Sequence, residues 1–375
     1  MARKKLCFVL PSLAGGGAER AAVHILNALD PLVWDRSMYL ARREGAYLDD
    51  VDGAIALSSG EDNSRIGRWT ALRRYFAATK PDLIVSFLSY LSVLSAASAA
   101  RIGARVVFDQ QTPISAFLSD RDYHWRRPWH RRVFRAASRY GYRRADAVVA
   151  TSHGVAADLA LVFGVAAARI HVVHNPVDLD AIARASSEPI DPMYEAAWKH
   201  PVVVAAGRLA DAKNYPLMLD ALTILRQTVP ARLFILGEGE QESALRAQIA
   251  RLGLDDAVVL CGFQHNPWKF IARADVFALS SHYEGFGNVL VEAMACGVPV
   301  VATGSDGTRE IVSADSDGVL VDRHEPAALA RALGRVLGDD VLRQRMSRQA
   351  RQTALKFALP TVAAAYARVF EEALA

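Results

Sequence analysis

Two glutamates eight residues apart, in a glycine-containing segment, are the strongest chemical feature of this 375-residue sequence. Glu284 and Glu292 lie in the stretch Ser-His-Tyr-Glu-Gly-Phe-Gly-Asn-Val-Leu-Val-Glu-Ala, whose apolar residues predict that a helix begins near Asn288. Glu284 would then lie in the loop before this helix and Glu292 one turn inside it, so both carboxylates can face one ligand. Carboxylates accept hydrogen bonds, which suits the hydroxyl groups of ribose and hexose. The amide groups at the start of the helix suit phosphate oxygens.

Two basic residues follow the apolar run 202–206. Arg208 and Lys213 supply a guanidinium and an ammonium group, which is what a diphosphate leaving group requires. Taken alone, the pair fits a surface salt bridge equally well. Gly207 and Gly237 end this run and the next one, and each glycine allows the backbone to approach a ligand or a neighbouring loop closely. The combination with the two carboxylates favours a binding site.

Three consecutive glycines, Gly15 to Gly17, follow the first apolar run, 6–10, and precede a helical pattern. A bound group could contact the backbone here, with helix amides directed at it. A tight turn without a ligand fits equally well. The spacing is not that of a G-x-G-x-x-G motif, and an acidic residue at the offset typical of an NAD site is absent from the sequence.

Short β-branched apolar runs alternate with amphipathic stretches along the whole chain, which predicts an α/β fold with parallel sheets. The expected strands are 6–10, 83–87, 105–108, 147–150 and 171–174, then 202–206, 232–236, 257–260, 275–279, 298–302 and 319–321. Residues 1–180 are expected to form one Rossmann-like domain and residues 201–358 a second, facing each other across a cleft. Residues 181–200 would be the hinge, because they are polar and contain two prolines. The last helix, 359–375, is expected to pack back on the first domain.

The composition is that of a globular protein, with 52% hydrophobic and 22% charged residues. Cys7, Cys261 and Cys296 lie in apolar runs without Cys-x-x-Cys spacing, which indicates a reducing compartment. The apolar run after the basic N-terminus is too short for a signal peptide, so we expect a cytoplasmic location. Residues 83–100 carry no charge, but serines recur at every third position, which favours a strand and a helix over a membrane span.

The segment 121–144 contains nine arginines and one acidic residue, interleaved with aromatic residues. Arg127, Arg131, Arg135 and Arg139 recur at four-residue spacing and would form one basic stripe on a helix. This pattern suits the surface of an anionic membrane, on its inner face, and would make the protein a peripheral membrane protein. A solvated helix face fits equally well, and RNA is the weaker third alternative.

These motifs resemble those of the retaining glycosyltransferases of family 4, which have the GT-B fold. Their signature is a glutamate, seven residues and a second glutamate, matched by Glu284 and Glu292. The resemblance implies that Glu292 binds the nucleotide ribose and that Glu284 binds the donor sugar. Arg208 and Lys213 would bind the diphosphate and, with Glu284, form the catalytic set. The full set of donor-binding residues implied is Gly16, Gly17, Gly207, Gly237, Phe263, Gly285, Phe286, Gly287, Asn288, Val289 and Glu292.

Many relatives carry a histidine near the reacting carbon at the position of segment 108–113. This chain has none in that segment, and Asp109, Gln110 and Gln111 are the candidates for contact with the acceptor.

The resemblance implies transfer, with retention, of a hexose or N-acetylhexosamine from a UDP-linked donor. The acceptor would be a saccharide or a polyprenyl-linked saccharide in bacterial surface polysaccharide assembly. Neither a cofactor nor a metal is expected, although Asp178-Leu179-Asp180 and Asp315-Ser316-Asp317 imitate a metal-binding Asp-x-Asp motif. A nucleotide-sugar epimerase of the same architecture, or an inactive nucleotide-sugar-binding scaffold, remain alternatives.

Overall fold

The computed structural model describes residues 3–60, 64–87, 89–119 and 128–375. The chain divides into two compact units. The first unit ends at Pro176 and takes in the C-terminal segment Leu359–Ala375, whereas the second unit is Val177–Ala358.

The first unit is built on a seven-stranded parallel sheet with the order β3-β2-β1-β4-β5-β6-β7. Its strands are β1 (Lys4–Leu10), β2 (Trp34–Leu40), β3 (Ala56–Ser59), β4 (Leu83–Phe87), β5 (Arg105–Gln110), β6 (Ala147–Ala150) and β7 (Ile170–Val172). Its helices are α1 (Gly17–Ala28), α2 (Arg65–Thr79), α3 (Ser89–Ala99), α4 (Ile114–Ser119), α5 (Pro128–Tyr142), α6 (His153–Phe163) and the C-terminal α15 (Leu359–Leu374). The central strands are apolar along their length because helices cover both faces of the sheet.

The second unit has a six-stranded parallel sheet with the order β10-β9-β8-β11-β12-β13. Its strands are β8 (Val202–Ala206), β9 (Arg232–Leu236), β10 (Val258–Leu260), β11 (Val276–Leu279), β12 (Val300–Thr303) and β13 (Gly318–Val321). Its helices are α7 (Leu179–Ser186), α8 (Tyr215–Leu225), α9 (Glu242–Leu252), α10 (Trp268–Ile271), α11 (Asn288–Ala295), α12 (Asp306–Ile311), α13 (Pro326–Leu337) and α14 (Asp340–Ala354). Two apolar clusters, one on each face of the sheet, form the core of this unit.

The fold class expected from the sequence, two doubly wound α/β domains, is confirmed by these two sheets. The uncharged stretch 83–100 folds as strand β4 and helix α3, as expected. Among the described residues, no helix combines the length and the apolar composition needed to cross a membrane.

Strands β2 and β3 were missed by the sequence analysis. In β2, Asp35, Arg36 and Ser37 interrupt the apolar pattern. Arg36 is nevertheless buried, because its guanidinium donates to the Leu26 and Asn27 carbonyls and lies 3.2 Å from the Asp52 carboxylate. Strand β3 is a four-residue edge strand with partly exposed side chains, so it has little apolar signal.

The segment 181–200, expected to be a hinge, belongs instead to the second unit. It contains most of α7 and a 3₁₀ helix, Pro192–Lys199. Tyr194 and Trp198 from this 3₁₀ helix pack on Phe234 and Phe270, with ring centroids 4.5–6.3 Å apart. This aromatic contact fixes the segment to the core. The last helix, α15, is part of the first unit.

Candidate functional site

In the second sheet the chain adds strands outward on one side of β8, as β9 and β10, and then on the other side, as β11, β12 and β13. The strand order therefore reverses between β8 and β11, which are neighbours in the sheet although they are not consecutive along the chain. Loops at the carboxyl ends of strands on either side of such a switch point form the ligand-binding crevice of open α/β sheets. The two loops are residues 207–214 after β8 and residues 280–287 after β11. They carry the predicted Arg208, Lys213 and Glu284.

The structure brings Lys213 and Glu284 into direct contact. The Lys213 ammonium donates to Glu284 Oε1 at 2.6 Å, and the Ser281 hydroxyl donates to the same oxygen at 2.6 Å. The Glu284 side chain is only 11% exposed. Within the described part of the chain, its second oxygen, Oε2, has no hydrogen-bond partner. The two donors therefore hold the Glu284 carboxylate in place through Oε1 alone.

Hydrogen bonds to main-chain carbonyl groups hold the two loops together. The Ser280 hydroxyl donates to the carbonyls of Lys213 and Asn214, and the His282 amide donates to the Ala212 carbonyl at 2.9 Å. Tyr215, at the start of α8, donates its hydroxyl hydrogen to the Gly207 carbonyl. Burial, and then the nearby Glu284 carboxylate, raise the pKa of Tyr215, so it remains a hydrogen-bond donor.

Arg208 lies on the surface, with 68% of its side chain exposed. Its guanidinium is 3.1 Å from the Glu240 carboxylate, which sits just after the glycine turn that follows β9. Both basic groups predicted to meet the diphosphate are therefore paired with a carboxylate in this structure.

Glu292 lies inside α11, as the sequence predicts, and is only 7% exposed. Its Oε2 accepts a hydrogen bond from the Trp268 indole nitrogen at 2.9 Å. Gly287 precedes this helix with φ of +106°, a conformation that favours glycine.

Gly207 and Gly237 let the turns after β8 and β9 approach each other closely. Gly207 has φ of +147° and Gly237 has φ of +140°. A Cβ atom on Gly237 would lie 2.1 Å from the Gly207 carbonyl oxygen, so the turn after β9 could not accept a side chain at this position without moving.

The predicted donor-binding residues in the loop and at the start of α11 differ in exposure. Phe286 is 2% exposed and packs on Phe357 with ring centroids 5.2 Å apart. Its ring belongs to the core, so a contact of Phe286 with the donor would have to come from its backbone amide. Gly285 is buried, whereas Asn288 and Val289 are partly exposed at the start of α11.

Phe263 lies in the loop between β10 and α10, and its ring is 37% exposed. Its amide donates to Glu238 Oε1 at 3.2 Å, and the neighbouring Gly262 carbonyl accepts from the Gly237 amide at 2.8 Å. This loop is therefore attached to the glycine turn that follows β9.

Helix α12 supports the loop that carries Glu284. Ser305 and Thr308 form a reciprocal capping box at its N-terminus. A Cβ atom on Gly307 would lie 2.8 Å from the Glu284 carbonyl oxygen, so this close packing requires glycine.

In the first unit, Gly16 precedes α1 and Gly17 is its first residue. Gly15 has φ of +104°, and its carbonyl accepts from the Tyr47 hydroxyl at 3.2 Å. The turn expected after β1 is therefore present.

The three acceptor-side candidates, Asp109, Gln110 and Gln111, are buried at the end of β5. Asp109 accepts hydrogen bonds from Tyr366 at 2.7 Å and from Gln111. Gln111 in turn accepts from Asn175 at 2.7 Å. Burial raises the pKa of Asp109 to about 7. Asp109 is 1% exposed, so in this structure it ties α15 to the sheet instead of facing an acceptor.

The basic stripe is described only in part, because Arg127 lies outside the described residues. Helix α5 places Arg131, Arg135 and Arg139 at the surface. Arg139 also donates to the Val162 carbonyl at 2.9 Å, which gives it a structural contact.

Across the described ranges, no three histidine, cysteine, aspartate or glutamate side chains form a cluster that could hold a metal ion. In the two Asp-x-Asp motifs, Asp178 caps α7 by accepting from the Ala181 amide. Asp317 is buried and accepts from Ser313 and Thr353.

Two family models together match most of the chain. The model "Glycosyl transferases group 1" matches residues 188–353, and "Glycosyltransferase Family 4" matches residues 15–181. The chain belongs to the GT4-type glycosyltransferases. This GT4 assignment agrees with the resemblance noted from the sequence.

Relatives of this GT4 chain are named as glycosyltransferases. The N-acetylgalactosamine-N,N'-diacetylbacillosaminyl-diphospho-undecaprenol 4-alpha-N-acetylgalactosaminyltransferase of Campylobacter jejuni is 34% identical, over 58% of this chain and 57% of the relative. A D-inositol 3-phosphate glycosyltransferase of Xylanimonas cellulosilytica is 35% identical, over 61% and 57%. The matches thus span little more than half the length of these two relatives. The lipopolysaccharide core biosynthesis glycosyltransferase LpsE of Rhizobium meliloti is 25% identical over 90% of both chains.

Solved structures share the fold of the GT4 chain. Anabaena HepE in complex with UDP-glucose has a TM-score of 0.83 at 22% identity, and the match covers 98% of this chain and 99% of HepE. WaaG, a glycosyltransferase involved in lipopolysaccharide biosynthesis, has a TM-score of 0.78 at 17% identity, covering 97% and 99%. At these identities the likeness establishes the GT-B fold alone.

The sequence analysis did not identify three partners of the candidate site residues in the second unit, Ser281, Glu240 and Trp268, or the partner of Asp109 in the first unit, Tyr366. Ser281 could have been found, because it lies three residues before Glu284 in the same loop. The other three contact residues that are far away in the sequence, and no local pattern identifies them.

Proposed function

We propose that this chain is a retaining glycosyltransferase that moves a hexose or N-acetylhexosamine from a UDP-sugar to a saccharide or lipid-linked saccharide. The observation that carries the proposal is the contact of Lys213 and Ser281 with one oxygen of Glu284, at the switch point of the second sheet. In this proposal, the Lys213 ammonium binds the diphosphate and the Glu284 carboxylate binds the sugar hydroxyls, from adjacent loops. Glu292, inside the next helix, is the proposed ribose ligand.

The relatives favour this choice of donor and acceptor. The HepE structure contains UDP-glucose, and the Campylobacter relative is named for transfer to an undecaprenol-linked saccharide. LpsE, which matches along nearly the whole chain, is named for lipopolysaccharide core biosynthesis. A role in bacterial surface polysaccharide assembly is consistent with all three.

The proposed reaction breaks the bond between the anomeric carbon and the β-phosphate oxygen, while the acceptor hydroxyl attacks that carbon from the same face. The acceptor proton passes to the departing phosphate oxygen. Arg208 and Lys213 would stabilise the negative charge that develops on the diphosphate, which is electrostatic catalysis without a covalent intermediate. We propose that the reaction needs no metal ion and no cofactor, because these two cations can take that role.

We further propose that α5 attaches the protein to the inner face of an anionic membrane, where a lipid-linked acceptor is found. In addition to its arginines, α5 exposes Trp129 by 52%, Val133 by 57% and Tyr140 by 52%. Exposed aromatic rings next to guanidinium groups suit the lipid headgroup region.

Release of UDP tests the catalytic proposal. The purified chain is incubated with UDP-glucose, UDP-galactose and their N-acetylated counterparts, with and without a polyprenyl-linked saccharide acceptor. We expect UDP release only when acceptor is present, persistence of the reaction in EDTA, and a product whose anomeric configuration, read by NMR, equals that of the donor.

Each alternative gives a different result in this assay. An epimerase of this architecture would release UDP without acceptor, and a scaffold would release none under either condition. Loss of activity in EDTA that only Mg²⁺ or Mn²⁺ restores would contradict the metal-independent mechanism. An inverted product would contradict retention.

A further inference from the structure

The proposed ribose ligand, Glu292, is nearly buried, and a buried carboxylate needs hydrogen-bond donors to remain charged. The Trp268 indole nitrogen supplies one of them, at 2.9 Å from Oε2. An indole ring is rigid and donates in a single direction, so it restricts where Oε2 of Glu292 can lie.

Trp268 is itself held in place by its surroundings. It is the first residue of α10, and its ring packs against the apolar cluster that also contains Phe270. The preceding Asn266 accepts from the Lys269 amide and donates to the Ala185 carbonyl, which ties the start of α10 to α7.

The loop before α10 connects Trp268 to the rest of the candidate site. Phe263 and Gly262 in this loop are attached to the glycine turn after β9. A single short segment, 261–268, therefore contacts both that turn and the carboxylate of Glu292.

We infer that Trp268 is a positioning residue for nucleotide recognition, which orients Glu292 so that the carboxylate meets the ribose hydroxyls. This inference rests on the proposed binding of a UDP-sugar. Its competitor is a purely structural role, in which the Trp268 ring fills space in the core and its hydrogen bond has no effect on the ligand.

The two roles are separated by comparing UDP with 2′,3′-dideoxy-UDP, which lacks the ribose hydroxyls. Trp268→Phe keeps most of the ring and removes the N–H donor. We expect this variant to bind UDP about three- to tenfold more weakly, the scale of a weakened hydrogen bond to a charged group. Its affinity for dideoxy-UDP, measured by calorimetry, should remain within about twofold of wild type.

Trp198→Phe is the matched control. The Trp198 indole also donates at 2.9 Å, but to the Arg273 carbonyl, and it packs in the same apolar cluster. This variant should bind both nucleotides like wild type. In a Glu292→Ala background, Trp268→Phe should cause no further loss of UDP affinity, because the carboxylate that it orients is gone.

An equal loss of affinity for both nucleotides, or no loss for either, would overturn the inference and leave Trp268 a packing residue. Binding of dideoxy-UDP shows that the variant is folded, and Trp268→Leu, which also lacks a donor, replaces it if Trp268→Phe does not fold. If wild type binds UDP no better than dideoxy-UDP, the proposed ribose contact itself is wrong, and the inference falls with it. Because this comparison uses wild type alone, a failure of the proposed ribose contact is distinguished from a failure of the Trp268 inference.

Discussion

The two basic residues of the candidate site differ in how firmly they are paired. Lys213 and Glu284 form a short, largely buried contact, with side chains 22% and 11% exposed. Arg208 and Glu240 form an exposed pair, with side chains 68% and 38% exposed. Exposed pairs contribute little stability and exchange partners readily. A donor diphosphate that binds Arg208 would therefore displace Glu240.

Glu240→Gln is expected to raise the affinity for UDP. The substitution removes the carboxylate that competes with the diphosphate for Arg208, and the gain should be about two- to fivefold, the scale of one exposed ion pair. Titration calorimetry at low and high salt checks this prediction, and the gain should shrink as salt rises.

Glu242→Gln is the control for this change in charge, because Glu242, two residues after Glu240, pairs with Arg246 at 2.7 Å. It should leave the affinity unchanged. Glu240→Gln should also have no effect in an Arg208→Ala background. The same gain in that background would show that Glu240 acts through its charge alone and not through Arg208.

At the scale of elements, helix α5 carries residues that pack in the core and residues that are exposed to solvent. Phe134 and Tyr142 pack into the core of the first unit, and Arg139 contacts a backbone carbonyl. Arg131, Arg132 and Arg135 are exposed, and none has an ion-pair partner in the part of the chain that the structure describes. Phe134 thus packs against the core of the first unit and is not part of the exposed basic face.

Replacing Arg131, Arg132 and Arg135 together by glutamine is expected to weaken binding to phosphatidylglycerol vesicles by on the order of 100-fold. Each arginine near such a surface contributes about 1 kcal/mol. Co-sedimentation at low salt measures the change, and the affinity for UDP should remain that of wild type.

A triple variant with the same loss of charge in the second unit, Arg331→Gln, Arg345→Gln and Arg348→Gln, is the control and should still sediment with vesicles. If wild type does not sediment at low salt, or the two triple variants behave alike, α5 does not bind the membrane.

At the scale of the whole molecule, the C-terminal helix α15 completes the first unit. Tyr366 reaches Asp109 across 257 residues of sequence, and Phe370 packs edge-on against Phe8 and Trp34 with ring centroids 6.0 Å apart. The buried Asp109 carboxyl group thus lies at the junction between the helix and strand β5.

The raised pKa of Asp109, about 7, makes the stability of the first unit depend on pH. The folded state holds the Asp109 proton up to about pH 7, whereas the unfolded chain releases it near pH 4. The free energy of unfolding should therefore fall as pH rises from about 4 to about 7. Asp109→Asn cannot titrate, so the melting temperature of wild type should fall relative to this variant across that range.

Melting temperatures between pH 4.5 and 8, compared for wild type, Asp109→Asn and the exposed control Asp49→Asn, check this prediction. Asp49→Asn should follow wild type at every pH. A constant difference between wild type and Asp109→Asn would show that Asp109 does not titrate in this range.

The sequence alone determined the fold class and the positions of most strands, because alternating apolar runs and glycine turns are local signals. It also located Glu284, Glu292, Arg208 and Lys213, since each lies at the end of a strand or the start of a helix that local pattern predicts. The structure then placed Lys213 and Glu284 in contact.

Only the tertiary structure decided which partners these residues have. Glu240, Trp268 and Tyr366 lie 32, 24 and 257 residues from the groups that they contact. The same holds for β2, where Arg36 is buried because Asp52 and two carbonyl groups of the α1 region surround it. Contacts between distant segments depend on how helices and strands pack, and the period of a sequence pattern does not encode that packing.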